Sequence, residues 1–346
     1  MNIMKKESNL VLKTIIIGFF AMLLVTGICT TVFYVLMEKA MGDQNKEQLS
    51  FERHYAFIAD NAESDIWDDV YESAREYGLS QNVYVERFGE LMNVEYNAKQ
   101  LLTMAVNASV DGIIYYGGVN DSNTQEIINK AVHKNIPVVL LQKDIENSLR
   151  QSFVGVNSYE LGRNYGEQIL DIIDGQETVA NQAPQKVWVL LGNNASDSYS
   201  VNITLAIQNT IMDRVSIMPD IEMISVDMDD TFRAEERIRS IFMSEDHPDI
   251  LVCTNSIFTQ CAYQAAVDYN LVGQVKILGY YATDQIIEAV RKQIVYSTVD
   301  VDVTSMGKSC VEALQEYKDS GYTNSFISVP IKMIEKKEAE AMDYEN

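Results

Sequence analysis

From residue 51 onward, short apolar runs alternate with segments whose apolar residues recur at helical spacing, and this alternation decides most of what the chain can fold into. Strands are expected at 55–59, 82–85, 112–116, 137–141, 187–191, 222–226, 250–254, 275–279 and 295–299. Between them Ile66, Val70, Ala74 and Tyr77 share one helical face, as do Leu161, Tyr165, Ile169 and Ile172. Further helices are expected at 201–212, 234–243 and 261–267, with a last one carrying Met306, Cys310, Ala313 and Leu314. Strands that alternate with helices imply parallel sheets covered on both faces. So many units over nearly 300 residues exceed one sheet and predict an α/β chain with two doubly wound parallel-sheet lobes. Ligands of such folds bind beyond the carboxyl ends of the strands. The loops at 60–67, 116–121, 142–150, 192–199, 227–232, 255–258, 280–284 and 300–304 are therefore where function is expected.

Residues 14–37 form an uncharged stretch of 24 residues. A bilayer core needs about 20 apolar residues in a helix, so this segment is expected to span it. It is longer than the apolar region of a cleaved signal peptide and ends at Glu38 without a small-residue cleavage site. Lys5, Lys6 and Lys13 precede it, which places residues 1–13 in the cytoplasm, 38–50 as a stalk and the bulk of the chain outside the membrane. Cys29 follows Thr26-Gly27-Ile28, a poor match to a lipidation site. Cys253, Cys261 and Cys310 are odd in number and lie on apolar faces, so they read as small core residues and not as a disulfide framework.

The net charge is −23; five of the 27 basic and four of the 50 acidic residues lie before residue 51, which leaves about −24 outside. Such a surface repels phosphate backbones, and no nucleic-acid partner is expected. A search for chemistry finds no nucleophile elbow, metalloprotease motif, P-loop or dinucleotide fingerprint. His54, His133 and His247 have no ligand-spaced partners, and acid pairs such as Asp68-Asp69 read as solvated or helix-capping groups. No enzyme activity, metal or cofactor is expected. The strand-end loops are instead rich in aromatic and neutral hydrogen-bonding groups: Trp67, Tyr116, Tyr280 and Tyr281 with Gln142, Asn193, Asn194, Asn255 and Asp300. Aromatic faces stack on the C–H faces of sugars, and amides and carboxylates pair with hydroxyls, so the set suits a neutral polyhydroxy ligand.

Three stretches read in order VDGII from Val110, AVHKNIPVVLL from Ala131 and VGVNSYELG from Val154. HPDILVCTN follows from His247, and Gly279 and Met306-Gly307 close the series. In this order and spacing the chain resembles the type I periplasmic solute-binding proteins of the ribose/galactose class, whose fold is shared by the effector domains of lactose-repressor-type regulators. The resemblance runs from about residue 54 to 334. It implies a ligand cleft between lobes joined by three crossovers, near Val156-Asn157, Asp300-Val301 and Ser328-Pro330, that closes like a hinge. It divides the chain into 51–156 plus 302–329 and 157–301 plus 330–346. It also implies that Trp67, in Asp65-Ile66-Trp67, is a stacking aromatic, that Asn255 is a ligand-binding amide and that Tyr280 holds an aromatic position. The acids and the arginine usual in the family are replaced here. Gln142 stands where an acid is usual, with Asp144 nearby, Tyr281 replaces another, and the loop that usually provides an arginine offers Asn194, Asp197 and Tyr199.

The resemblance implies delivery of a sugar to the permease of an ABC importer. The uncleaved span raises a second role, the presentation of a ligand-dependent surface to a membrane histidine kinase. No DNA-binding segment precedes residue 51, which speaks against transcriptional regulation.

Overall fold

The computed structural model describes residues 22, 24–28, 30–33, 51–59, 64–117, 122–175, 184–192, 197–227 and 231–342. Two compact units divide at Phe51 and Glu52. In the first, residues 22, 24–28 and 30–33 are helical, and the hydroxyls of Thr26, Thr30 and Thr31 donate back to carbonyls of the preceding turn. Among the described residues no helix is long and apolar enough to cross a membrane. The cytoplasmic tail 1–13, the stalk 38–50 and most of the expected span 14–37 lie outside the described residues.

The second unit alternates strand and helix almost throughout. Its first half runs β1 (Arg53–Ile58), α1 (Ser64–Ser80), β2 (Val83–Arg87), α2 (Ala98–Ala108), β3 (Gly112–Tyr115), α3 (Ser122–His133), β4 (Val138–Leu141) and β5 (Ser152–Val156). The second half runs α4 (Ser158–Asp174), β6 (Lys186–Leu191), α5 (Ser198–Met212), β7 (Asp220–Ser225), α6 (Thr231–Met243), β8 (Ile250–Cys253), α7 (Ser256–Asp268), β9 (Lys276–Tyr280), α8 (Asp284–Arg291) and β10 (Ser297–Val301). The chain closes with α9 (Val303–Ser320), β11 (Phe326–Val329), β12 (Ile331–Ile334) and α10 (Lys336–Ala341). Three strands, β5, β11 and β12, are absent from the periodicity reading. The last two are four residues long and only partly buried, so they lack the apolar run that marks a central strand.

The strands form two six-stranded sheets, ordered β11-β5-β4-β3-β1-β2 and β12-β10-β9-β8-β6-β7. Every described pairing is parallel except β10 with β12. Central strands such as GIIY in β3, VVLL in β4 and ILVC in β8 are buried at every position, as a sheet covered on both faces demands. The polypeptide passes between the sheets three times: after Val156, after Val301, and between Val329 and Ile331.

Helices α2 and α3 close one face of the first sheet over Leu102, Ile128 and Val138, while α6, α7 and α8 close one face of the second over Ile238, Phe258 and Ile277. The remaining faces, under α1, α9, α4 and α5, share one continuous apolar core. Two glycines of the ordered motifs set the helix spacing in that core. A Cβ on Gly162 of α4 would lie 2.3 Å from the Ile203 carbonyl oxygen of α5, and one on Gly307 of α9 would lie 2.4 Å from the Val70 carbonyl oxygen of α1. Only hydrogen fits at either contact.

Candidate functional site

In the first sheet the chain runs one way from β1 to β2 and the other way from β3 to β4, so the order reverses between β1 and β3. The second sheet reverses in the same manner between β6 and β8. Crevices beyond the carboxyl ends at such reversals are where open α/β sheets bind ligands. One cleft draws on both reversals, with about 580 Å³ of empty space, part of it open to solvent. The first lobe lines it with Ile66 and Trp67 from α1, Tyr116 after β3, and Gln142 and Lys143 after β4. The second lobe adds Gly192 after β6, Asp197, Tyr199 and Ser200 at the start of α5, Thr254 and Asn255 after β8, and Tyr280 ending β9.

The aromatic wall is an intimate pair: Trp67 and Tyr116 have ring centroids 4.2 Å apart at 33°. Trp67 is only 1% exposed, and among the described residues no group accepts a hydrogen bond from its indole Nε1. A buried donor left in this way costs free energy until an acceptor arrives, and Trp67 lines the cleft where one can enter. Among the described residues, Lys143 and Asp197 are the charged members of the lining.

The polar groups of the lining are tied to the scaffold. The Gln142 Nε2 amide donates to the Tyr280 hydroxyl at 2.8 Å and the Tyr199 hydroxyl at 3.4 Å, while its Oε1 accepts from the Val156 amide at 3.3 Å. It thus joins the two lobes across the cleft, from a backbone with φ of +55°. Asp197 and Asn255 each cap a helix, accepting from Ser200 N at 2.7 Å and Phe258 N at 2.8 Å, because the first turns of α5 and α7 have amides with no intrahelical partner. Two groups beneath the cleft complete the support. Thr259 Oγ1 accepts from Tyr280 N at 2.8 Å and lies 3.0 Å from the Asn255 carbonyl oxygen, fixing both lining residues. The Tyr165 hydroxyl sits 2.8 Å from the Cys253 carbonyl oxygen and 3.2 Å from that of Gly279, bracing β8 against β9; full burial pushes its phenol well above the ordinary range.

Of the residues singled out from sequence, the cleft brings together Trp67, Tyr116, Gln142, Asp197, Tyr199, Asn255 and Tyr280. Asp65 lies in the first turn of α1, and Asn194 lies outside the described residues. Three others stand apart from the cleft lining. Asp144 gives both carboxylate oxygens to Arg150, each at 2.5 Å. Asp300 lies inside β10, opposite Lys332 of β12, because that strand runs two residues further than the apolar pattern suggests. Burial raises its carboxyl above the ordinary value, with Lys332 opposing. Tyr281 is buried and donates its hydroxyl to Asp69 of α1. Ile66, Lys143, Gly192, Ser200 and Thr254, which the sequence reading did not select, adjoin selected residues at the same strand and helix ends. Thr259 and Tyr165 sit on helix faces that look like ordinary core, and nothing in the local sequence marks them.

The sequence model of the periplasmic binding protein domain matches residues 55–321. No curated protein matches the chain. Among solved structures it is similar to GanP, a glucose-galactose binding protein from Geobacillus stearothermophilus, at 19% identity over 82% of this chain and 98% of that one, with a TM-score of 0.68. It is similar to the XylFII–LytSN complex at 21% identity, over 83% and 99%, with a TM-score of 0.66. An ABC transporter solute binding protein from Burkholderia graminis in complex with D-arabinose aligns at 12% identity over 85% and 99%, with a TM-score of 0.70. At these identities the solved structures establish a shared fold.

Proposed function

Because the chain belongs to the periplasmic binding protein family, with a match over residues 55–321, we propose that it is a membrane-tethered extracytoplasmic receptor for a neutral, sugar-like solute. The observation that carries this is the cleft wall: a closely packed, tilted Trp67–Tyr116 pair whose buried indole N–H has no acceptor among the described residues, facing amides and phenols of the other lobe. An aromatic face takes the C–H side of a pyranose or furanose ring, and the indole donates to a ring or hydroxyl oxygen. With Lys143 and Asp197 the charged lining residues among those described, discrimination rests chiefly on shape and neutral hydrogen bonds. GanP and the arabinose-bound protein bind sugars on the same fold, which supports this class of ligand. Residues 14–37 would hold the receptor at the membrane, with residue 40 onward outside.

Calorimetry of residues 51–346 against a panel of pentoses and hexoses tests the reading. A sugar that binds the parent protein and fails to bind Trp67→Ala supports it, and silence across the panel refutes it.

Captured solute would pass to the permease of an ABC importer. The competing reading, supported by the uncleaved span and by the existence of a XylFII–LytSN complex on this fold, makes the partner a membrane sensor kinase. Recovery of permease subunits alone from native membranes would reject the sensor, and ligand-dependent recovery of a kinase alone would reject the importer.

A further inference from the structure

We propose that Tyr281 is a positioning residue that clasps the two lobes together from outside the cleft, with or without a ligand. It stands directly after Tyr280, yet it does not line the cleft. Its hydroxyl donates to Asp69 Oδ2. Asp69 belongs to α1, which packs with α9 against the first sheet, whereas Tyr281 follows β9 of the second.

The phenol is held in place by its own backbone. Tyr281 has a φ of +70°, a left-handed conformation that non-glycine residues adopt only where surrounding contacts impose it. Both sides of the residue are tied to β10: its amide donates to the Val299 carbonyl at 2.7 Å, and its carbonyl accepts from Thr298 Oγ1 at 3.2 Å. Strand β10 ends at Val301, where the chain leaves for the other sheet, so the phenol is anchored beside one of the three passages between the lobes.

The cross-lobe bonds near the cleft differ in what a ligand does to them. Gln142 and Tyr280 both line it, so an incoming hydroxyl competes with their bond. The Tyr281–Asp69 bond lies off the lining, so the ligand leaves it intact while hinge opening breaks it. It therefore stabilises the closed arrangement alone, and any shift in the closed fraction shifts apparent affinity by the same factor. A hydrogen bond to a partly exposed carboxylate should change the closed-to-open ratio about five- to tenfold. The clasp rests on the binding reading only in taking this crevice as the cleft, and it holds whatever the solute.

Trp67 provides the readout, being two residues from Asp69, 1% exposed, and one of two tryptophans in the chain. The full-length protein in detergent, carrying Trp188→Phe so that Trp67 is the sole indole, is titrated with acrylamide and no ligand. Tyr281→Phe and Asp69→Ala should each raise the quenching constant by about twofold or more, and the double variant no further than the larger single effect. Unchanged quenching in the single variants, or additive increases in the double, overturns the clasp. Should Tyr281→Phe fail to fold, Asp69→Ala decides alone, since its side chain is exposed. Because no solute is added, a failed sugar panel and a failed clasp are separate results.

Discussion

Replacing Gly162 by alanine puts a methyl group where α4 and α5 touch backbone to backbone. The new carbon would sit 2.3 Å from the Ile203 carbonyl oxygen, 2.7 Å from the Ala206 Cβ and 2.9 Å from the Ile203 Cα. Non-bonded carbons prefer roughly 3.5–4.0 Å, so the helices must part by about 1 Å, and no rotamer change can relieve a clash with main-chain atoms. Overpacking of this kind costs about 1–3 kcal/mol, and two of the three clashes being with backbone places Gly162→Ala near the upper figure. For a unit of this size the midpoint of thermal unfolding should fall by about 5 °C. The same displacement carries the first turn of α5, with Asp197, Tyr199 and Ser200, away from Tyr280 and Asn255, so affinity should weaken as well. Circular dichroism melts of Gly162→Ala and Gly175→Ala make the comparison. Gly175 has φ of −72° and its nearest non-neighbour atom at 3.1 Å, so alanine there should leave the melt within about 2 °C. A Gly162→Ala midpoint within 1 °C of the parent would refute the close-contact account of this helix pair.

Trp67→Phe keeps an aromatic face but deletes a donor with no partner among the described residues; the smaller ring leaves a void that should cost about 1–2 kcal/mol, while affinity for the cognate solute drops about tenfold by calorimetry. Asp144→Ala should change that affinity less than about twofold, since Arg150 already engages both oxygens, and a larger loss would return Asp144 to the ligand site. Stability should decline in alkali. Burial pushes Tyr55 up to about 12 and Cys261 to about 11, and raises Tyr165, Cys253 and Cys310 as well. The unfolded chain then loses these protons first, so their contribution is complete below about pH 8 and is lost on raising the pH towards 12. Tyr55 alone is worth roughly 1.4 kcal/mol by pH 11, measurable by urea unfolding at pH 8 and 11, and Tyr55→Phe should flatten that slope.

The α/β class and the two doubly wound sheets were legible in the sequence because short continuous apolar runs and period-3.6 apolar patterns are local properties of adjacent residues. Runs such as VVLL and ILVC can be satisfied only by a sheet covered on both faces. Most of the cleft was legible for a related reason: strand ends point to it, so Trp67, Tyr116, Gln142, Asn255 and Tyr280 could be named from position and residue type. What the sequence could not supply was which neighbours claim each side chain. Asp144, Asp300 and Tyr281 look as apt for a ligand as Gln142 does. Tertiary structure alone gives Asp144 to Arg150, places Asp300 in a ladder opposite Lys332, and sends the Tyr281 phenol to Asp69. Arg150 is six residues from its partner, but Lys332 and Asp69 are 32 and 212 positions away from theirs, and such pairings exist only once the sheets are assembled. Tyr165 and Thr259 teach the same lesson from the core side, since a tyrosine or threonine on an apolar helix face becomes a support for the cleft only when β8 and β9 are laid against it.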